Sequence, residues 1–195
     1  MVDTARALRA GFWLEYATLG WNVAGTAIML VAAVEAGSVA LGGFGLDSAI
    51  EIFASVVVVW QLTGTDKRRE RPALRLIGAA FMALAAYVLV QSAWALAAEF
   101  HPQPSPMGLL WLALTCIVML GLAWGKRVIG QRIGNAVLLT EARVTLIDAA
   151  LAASVLTGTG LDAALGWWWA DPLAGLVIVY YGITEGRAAW RHGAS

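Results

Sequence analysis

FGLDSAIEIFASVVVVWQL, residues 44–62, is apolar enough to lie within a bilayer except for two acids, Asp47 and Glu51. The sequence from Gly37 to Leu62 contains no basic residue that would neutralise them. Because the acids are four residues apart, a helix places them on one face, one turn apart. A charged side chain at mid-bilayer costs about 2.5–3.5 kcal/mol, so such residues usually face a bundle interior and have a function. The segment therefore predicts a transmembrane helix with a functional inner face.

The composition of the whole chain agrees with a membrane protein. Its 195 residues are 60% hydrophobic and 13% charged, with a mean hydropathy of +0.73. Soluble domains have about 25% charged residues. The formal net charge is zero, which argues against a nucleic-acid partner. No signal peptide is expected, and the single cysteine, Cys116, lies in an apolar run and cannot form an internal disulfide. An enzyme is not expected, because no nucleophile–base pair or His cluster is present.

Six apolar stretches are long enough to cross a bilayer, which needs about 20 residues in a helix. They predict an all-α, six-helix membrane bundle that forms a single domain over residues 1–195. The expected spans are 11–34, 39–62, 74–99, 107–125, 135–158 and 167–187.

The basic residues predict the orientation of these spans. They lie before span 1, between spans 2 and 3, between spans 4 and 5 and after span 6, with Arg75 and Arg187 at the very ends of spans 3 and 6. Only Arg143 lies well within a span. The opposite connections carry the acids Glu35, Glu99 and Asp162 instead. The positive-inside rule then places both termini in the cytoplasm, with the inner membrane of the cell as the expected location. In GWWWADP, the three Trp suit the opposite interface, and Asp171 before Pro172 predicts a helix start capped by Asp171.

Further acids fall within the predicted spans. Glu141 and Asp148 are seven residues apart on one face of span 5, and Glu15 and Asn22 repeat that spacing in span 1. Each also has an ordinary structural interpretation. Glu15 could pair with Arg9, Glu141 with Arg143 could be an interfacial pair, and Asn22 could only bond between helices. A purely structural interpretation is harder to support for Asp47, Glu51 and Asp148, which lie deeper and have no basic neighbour on their helices.

A cluster of acids at membrane depth can exchange a metal ion for protons. Like charges in a low dielectric repel, so cation-free carboxyl groups tend to hold protons, and a divalent cation displaces those protons. The same physics permits a pathway for protons or organic cations without metal. Gly42, Gly43, Gly45, Ser48 and Ala49 surround the first pair of acids and would let neighbouring helices approach closely.

The residues around these acids resemble the cation diffusion facilitator, or cation efflux, family. GSVALGGFGLDSAIE (37–51) looks like the second helix of that family. EARVTLIDAALAASVLTG (141–158) and WWWADPLAGLVIVYYGITEG (167–186) are similar to its fifth and sixth helices. The likeness covers essentially all six spans. The sequence resembles a short form of this family, which consists of the transmembrane domain without the cytoplasmic domain that usually follows helix 6.

The resemblance implies a proton-coupled exporter of divalent metal cations, usually a homodimer, with its metal site between helices 2 and 5. By position, Asp47, Glu51 and Asp148 would be ligands. The ligand expected four residues before Asp148 is Val144 here, so Glu141 or Thr145 would substitute, with Asn22 and Glu15 as further auxiliary or proton-relay residues. Oxygen ligands without His favour Mn²⁺ and Fe²⁺ over Zn²⁺, with Co²⁺ also in range and no prosthetic group expected. The alternative is a non-transporting membrane protein whose acidic stripe senses metal or binds a partner helix.

Overall fold

The computed structural model describes residues 2–63, 70–134 and 136–192. Within these ranges the chain forms six α-helices and no strand, as the sequence predicts. The helices are α1 (Val2–Ala36), α2 (Val39–Thr63), α3 (Glu70–Ala97), α4 (Pro106–Ile133), α5 (Ala136–Leu165) and α6 (Ala170–His192). The basic residues Lys67, Arg68 and Arg69, predicted to form the connection between spans 2 and 3, lie outside the described residues.

Several helices are longer than the apolar runs that predict them. The stretch 125–134 was expected to connect spans 4 and 5, but α4 continues through it to Ile133. The helix ends only at Gly134, which adopts the left-handed conformation (φ 63°) that glycine accommodates without strain. The expectation that Lys126 lies in a connection is therefore wrong. Lys126 is a helical residue of α4.

Among the residues that the structure describes, four helical segments are long and apolar enough to cross a membrane by length and composition: Arg9–Ala36, Gly78–Ala97, Pro106–Arg132 and Ala142–Leu165. The other two helices, α2 and α6, contribute acidic residues to the interior of the bundle. Large apolar side chains point outward from the described helices, among them Trp13, Val34 and Tyr180. A helix satisfies its own backbone hydrogen bonds, so such an apolar exterior suits surrounding lipid.

The helices alternate in direction, which gives the bundle two different ends. At one end, called here the aromatic end, His101 stacks on Trp168 and the backbone N–H of Gln103 donates to the carbonyl of Ala36. These contacts bring together the α1–α2, α3–α4 and α5–α6 connections. The opposite end, called the basic end, is where α1 begins and α6 finishes. Its exposed basic side chains include Arg9, Arg75, Arg132 and Arg191.

Helix pairs α3–α6, α4–α5 and α1–α2 pack most extensively. The α3–α6 pair can approach closely because Gly78 has no side chain. A Cβ at this position would lie only 2.9 Å from the carbonyl oxygen of Gly186. A continuous apolar core, including Met29, Phe44, Val88 and Ile178, fills the space between the helices. This packing holds α2 in the interior, where its acids meet α5.

Candidate metal centre

Three carboxylates from two helices converge in the interior of the bundle. Asp47 and Glu51 project from α2 and Asp148 from α5, and one oxygen of each lies within 4.8 Å of the others. All three side chains are buried, with Asp47 0% and Asp148 1% exposed. The four-residue spacing on α2 gives the first two acids a common face, and the α2–α5 contact supplies the third. The structure thus brings together the three residues that the sequence singles out.

Asp47 and Asp148 lack the hydrogen bonds that buried polar side chains normally make. Neither oxygen of either carboxyl group has a hydrogen-bond partner in the described part of the chain, and neither residue forms an ion pair there. Buried polar groups are nearly always hydrogen-bonded, and buried charges are normally paired or bound to metal. Two such carboxyl groups, facing each other across a helix interface, are therefore an arrangement suited to a cation.

Glu51 is oriented by a side chain from a third helix. Asn22 Nδ2 on α1 donates a 3.0 Å hydrogen bond to Glu51 Oε2, and Asn22 itself is buried. This is the interhelical hydrogen bond that the structural interpretation of Asn22 predicts. Partners of this kind fix the direction of a ligand carboxylate. Asn22 therefore supports the cluster from outside it.

Close helix approach around the acids depends on two glycines of α2. A Cβ at Gly43 would lie 3.0 Å from Ile178 on α6 and 3.1 Å from Val88 on α3. A Cβ at Gly45 would lie 3.1 Å from Leu30 on α1. These distances are shorter than ordinary van der Waals contacts. The prediction that small residues let neighbouring helices approach α2 is confirmed at both positions.

Glu15 lies in a second polar group rather than in the carboxylate cluster. Lys126 Nζ on α4 donates to Glu15 Oε2 at 3.1 Å and to Thr145 Oγ1 on α5 at 3.1 Å. The expected pairing of Glu15 with Arg9 is thus wrong, and Arg9 is exposed. Thr145 likewise contacts the Lys126 ammonium. Glu15 and Thr145, both predicted as auxiliary residues, therefore contact Lys126, a basic residue that the sequence places in a connection.

Position 144, where the family resemblance implies a ligand, carries a valine in this chain. Val144 is half-buried on α5 and has no ligand atom. Glu141 lies on the same helix, but its side chain is outside the described residues. Arg143, its expected partner, is exposed and lines a groove of about 460 Å³ between α4 and α5. Glu141 therefore remains a predicted auxiliary residue.

Asp171 connects two helices instead of capping its own. It lies in the first turn of α6, which begins at Ala170. Ser38 Oγ donates to Asp171 Oδ1, and the backbone N–H groups of Val39 and Ala40 donate to Oδ2 at 3.1 and 3.3 Å. These N–H groups lack acceptors within α2 because they lie in its first turn. The prediction that Asp171 caps α6 is wrong: its carboxylate caps α2.

The sequence patterns do not point to two ionisable residues near the cluster. The basic residues around Lys126 resemble those of a connection, although the apolar residues Val128 and Ile129 that follow it signal a continuing helix. Glu185 is a half-buried acid of α6 whose carboxylate is near enough to Asp47 to act on it electrostatically. Its position within the last apolar run is the sequence signal that could have identified it. Both residues lie toward the basic end of the bundle.

The cluster consists of oxygen donors only. In the described residues its members are Asp and Glu, and the nearby Cys116 donates its S–H to the Ala149 carbonyl at 3.7 Å instead. Carboxylate oxygens are ligands for hard and borderline divalent cations. The donor set and the aspartate oxygens that lack hydrogen-bond partners in the described residues together suit a metal cation.

The sequence matches the family model described as the cation efflux transmembrane domain over residues 16–193. The match includes all three acids of the cluster and nearly the whole bundle. No curated protein matches the chain.

This family match identifies the chain as a cation transporter, and the apolar exterior of the bundle and its buried acidic cluster agree with that class. It belongs to the cation efflux family, whose members move metal cations across membranes.

Proposed function

We propose that the protein exports a divalent metal cation from the cytoplasm in exchange for protons, with Asp47, Glu51 and Asp148 as its ligands. The observation that carries this proposal is the convergence of three buried carboxylates within 4.8 Å, two of them without partners among the described residues. Three carboxylate charges in a low dielectric are costly, and one divalent cation or two protons would neutralise two of them. Alternate neutralisation by the two is the basis of an exchange.

The cargo is drawn from Mn²⁺, Fe²⁺, Co²⁺ and Zn²⁺, with Mn²⁺ and Fe²⁺ favoured. The absence of His and Cys from the described cluster supports this order, because nitrogen and sulfur donors favour the later, softer metals. Glu51, held by Asn22, provides an oriented oxygen, and the two aspartates provide the remaining charge. Water or Glu141 completes the coordination where Val144 has no donor.

The basic end lies in the cytoplasm in this proposal. Exposed Arg9, Arg75 and Arg132 lie there, as the positive-inside rule requires, and the Trp side chains suit the outer interface. Both termini would then be cytoplasmic and export would run from the basic end to the aromatic end. The proposal also includes the homodimer implied by the family resemblance, which crosslinking in the membrane would test.

The alternative of a non-transporting scaffold has less support. A scaffold that only binds a partner helix predicts acids that are paired and dry, whereas transport predicts a water-filled cavity that reaches Asp47 during the cycle. Asp47 and Asp148 have no hydrogen-bond partner in the described ranges, and both are fully shielded from solvent. Shielded but unpartnered acids suit an occluded transport intermediate better.

Transport into proteoliposomes tests the proposal directly. Purified protein is reconstituted with a pH gradient, and uptake of Mn²⁺, Fe²⁺, Co²⁺ and Zn²⁺ is followed together with proton movement. We expect at least one cation to move with countermovement of protons, and Asp47→Asn and Asp148→Asn each to abolish it. Asp162→Asn is the matched control, because Asp162 lies at the aromatic end of α5, outside the cluster. No movement of any of the four cations, or unchanged transport in both cluster variants, would refute the proposal.

A further inference from the structure

Lys126 is an unusual basic residue for a membrane bundle. Its side chain is 0% exposed, whereas the other basic side chains that the structure describes are exposed, including its neighbour Arg127. Lys126 links three helices, because its ammonium on α4 donates to Glu15 on α1 and to Thr145 on α5, both at 3.1 Å. A buried Lys is found almost only where it is paired.

This ion pair lies directly on the basic side of the acid cluster. On α1, Glu15 precedes Asn22, the partner of Glu51, by seven residues, which is about 10 Å of helix rise. On α5, Thr145 precedes Asp148 by three residues, about 4.5 Å. Both helices begin at the basic end. The ammonium therefore sits between that end and the carboxylates.

Stability alone does not account for this pair. Replacing a buried ion pair by well-packed apolar residues is often neutral or stabilising, because desolvation offsets the attraction between the charges. A fixed positive charge close to a cation site also repels a divalent cation across a low-dielectric interior. The position of Lys126 thus works against free passage from the basic end to the cluster.

We propose that Lys126 is a tethered cation that closes the basic-end approach to the cluster, and that the entering metal ion displaces it from Glu15. Glu15 is then a carboxylate that the cation meets before Asp47, Glu51 and Asp148. When the cation has moved on, the ammonium returns to Glu15, so the acid is never left uncompensated. This inference rests on the proposed function, since it names the entry step to the same site.

The two partners of a gate have opposite effects on the entering cation. Lys126→Gln removes the competing charge and should lower the KM for the transported cation about three- to tenfold, the scale of one nearby charge in a screened interior. Glu15→Gln removes the attracting charge and leaves the ammonium, and should raise KM by a similar factor. A pair that only holds helices together predicts loss of transport in the same direction for both variants.

The experiment measures KM and kcat in proteoliposomes with the transported cation, and thermal unfolding of each variant in detergent. Arg132→Gln is the matched control, because it removes an exposed charge from the same helix. Its KM should equal that of the parent. Shifts of KM in opposite directions support the gate. Shifts in the same direction, or unchanged KM in both variants, overturn it.

Thr145→Val keeps the test decisive if either charge variant does not fold. It removes one hydrogen bond from Lys126 and keeps the ion pair. A loosened ammonium should lower KM in the same direction as Lys126→Gln, and an unchanged KM would overturn the gate. A parent protein that moves no cation at all would instead overturn the proposed function, and this inference with it.

Discussion

Asn22 on α1 donates a 3.0 Å hydrogen bond to Glu51 on α2, so a side chain outside the acid cluster sets the direction of one of its carboxylates. Glu51 differs in this respect from Asp47 and Asp148, whose oxygens have no such partner in the described chain. The cluster thus combines one oriented carboxylate with two that are available to a cation.

Asn22→Ala should weaken cation binding without abolishing it. Loss of a supporting hydrogen bond to a metal ligand typically costs about 10–100-fold in affinity. The measurement is the Kd of the transported cation by calorimetry on purified protein. Thr26→Val is the control, because Thr26 lies one turn further along α1 and its hydroxyl has no partner among the described residues. Equal affinities for Asn22→Ala and the parent would contradict the orienting role.

Asp47→Asn should stabilise the cation-free protein while removing its response to metal. The substitution keeps the shape of the side chain and removes a buried acid that must either hold a proton or carry a costly charge when no cation is bound, a change of about 1–3 kcal/mol in the free energy of unfolding. The parent should gain about 2.7 kcal/mol at a cation concentration 100 times Kd, and the variant should gain nothing.

Thermal unfolding with and without the cation measures both effects. Ser48→Ala is a suitable control because Ser48 is a buried neighbour on α2 that carries no charge. A variant that is less stable than the parent and still stabilised by metal would exclude Asp47 as a ligand.

Asp171→Ala should destabilise the bundle by about 2–3 kcal/mol, because three hydrogen bonds to the start of α2 are lost and two backbone donors become unsatisfied. Asp171→Asn retains an acceptor oxygen and should lose less. The check is the free energy of unfolding in mild detergent. Asp162→Ala, an acid of α5 without these bonds, should change it by less than about 0.5 kcal/mol. Similar losses in Asp171→Ala and Asp162→Ala would argue against the cap.

Gly158→Ala and Gly20→Ala form a matched pair that tests the close contact between α5 and α6. A Cβ at Gly158 would lie 2.5 Å from Ala174 Cβ and 2.7 Å from the Ala170 carbonyl oxygen, so the helices must separate. The expected cost is about 1–3 kcal/mol. At Gly20 nothing lies within 4 Å, so alanine should be neutral or stabilise α1 by up to about 1 kcal/mol. Circular dichroism during heating compares the two; equal melting curves would disprove the contact.

The local pattern of the sequence was enough to predict the helices and the three clustered acids. Six apolar runs define the helices, and the four-residue spacing of Asp47 and Glu51 defines a face. Asp148 stands out as a deep acid without a basic neighbour. These features depend on helical periodicity and on the cost of charge in lipid, both of which can be judged from neighbouring residues.

The partners of Glu15 and Asp171 could not be predicted in this way. Glu15 binds Lys126, 111 residues away, and Asp171 binds Ser38, 133 residues away. Arg9 was the nearer base for Glu15 in sequence, but it is exposed. Such pairings depend on how helices rotate and pack against each other, which short-range patterns do not specify. The end of α4 was also misplaced, because its basic residues resemble those of a loop.

The cap that Asp171 provides sets a length requirement on α2. The first turn of α2 is bound to α6 at Ser38, Val39 and Ala40, and Asp47 follows within two turns. Each helical residue adds about 1.5 Å and 100° of rotation. An insertion or deletion of one residue between Ala40 and Asp47 would therefore turn both acids away from Asp148 while leaving every side chain of the cluster present. The spacer 41–46 should tolerate exchange of its residues more readily than any change in their number.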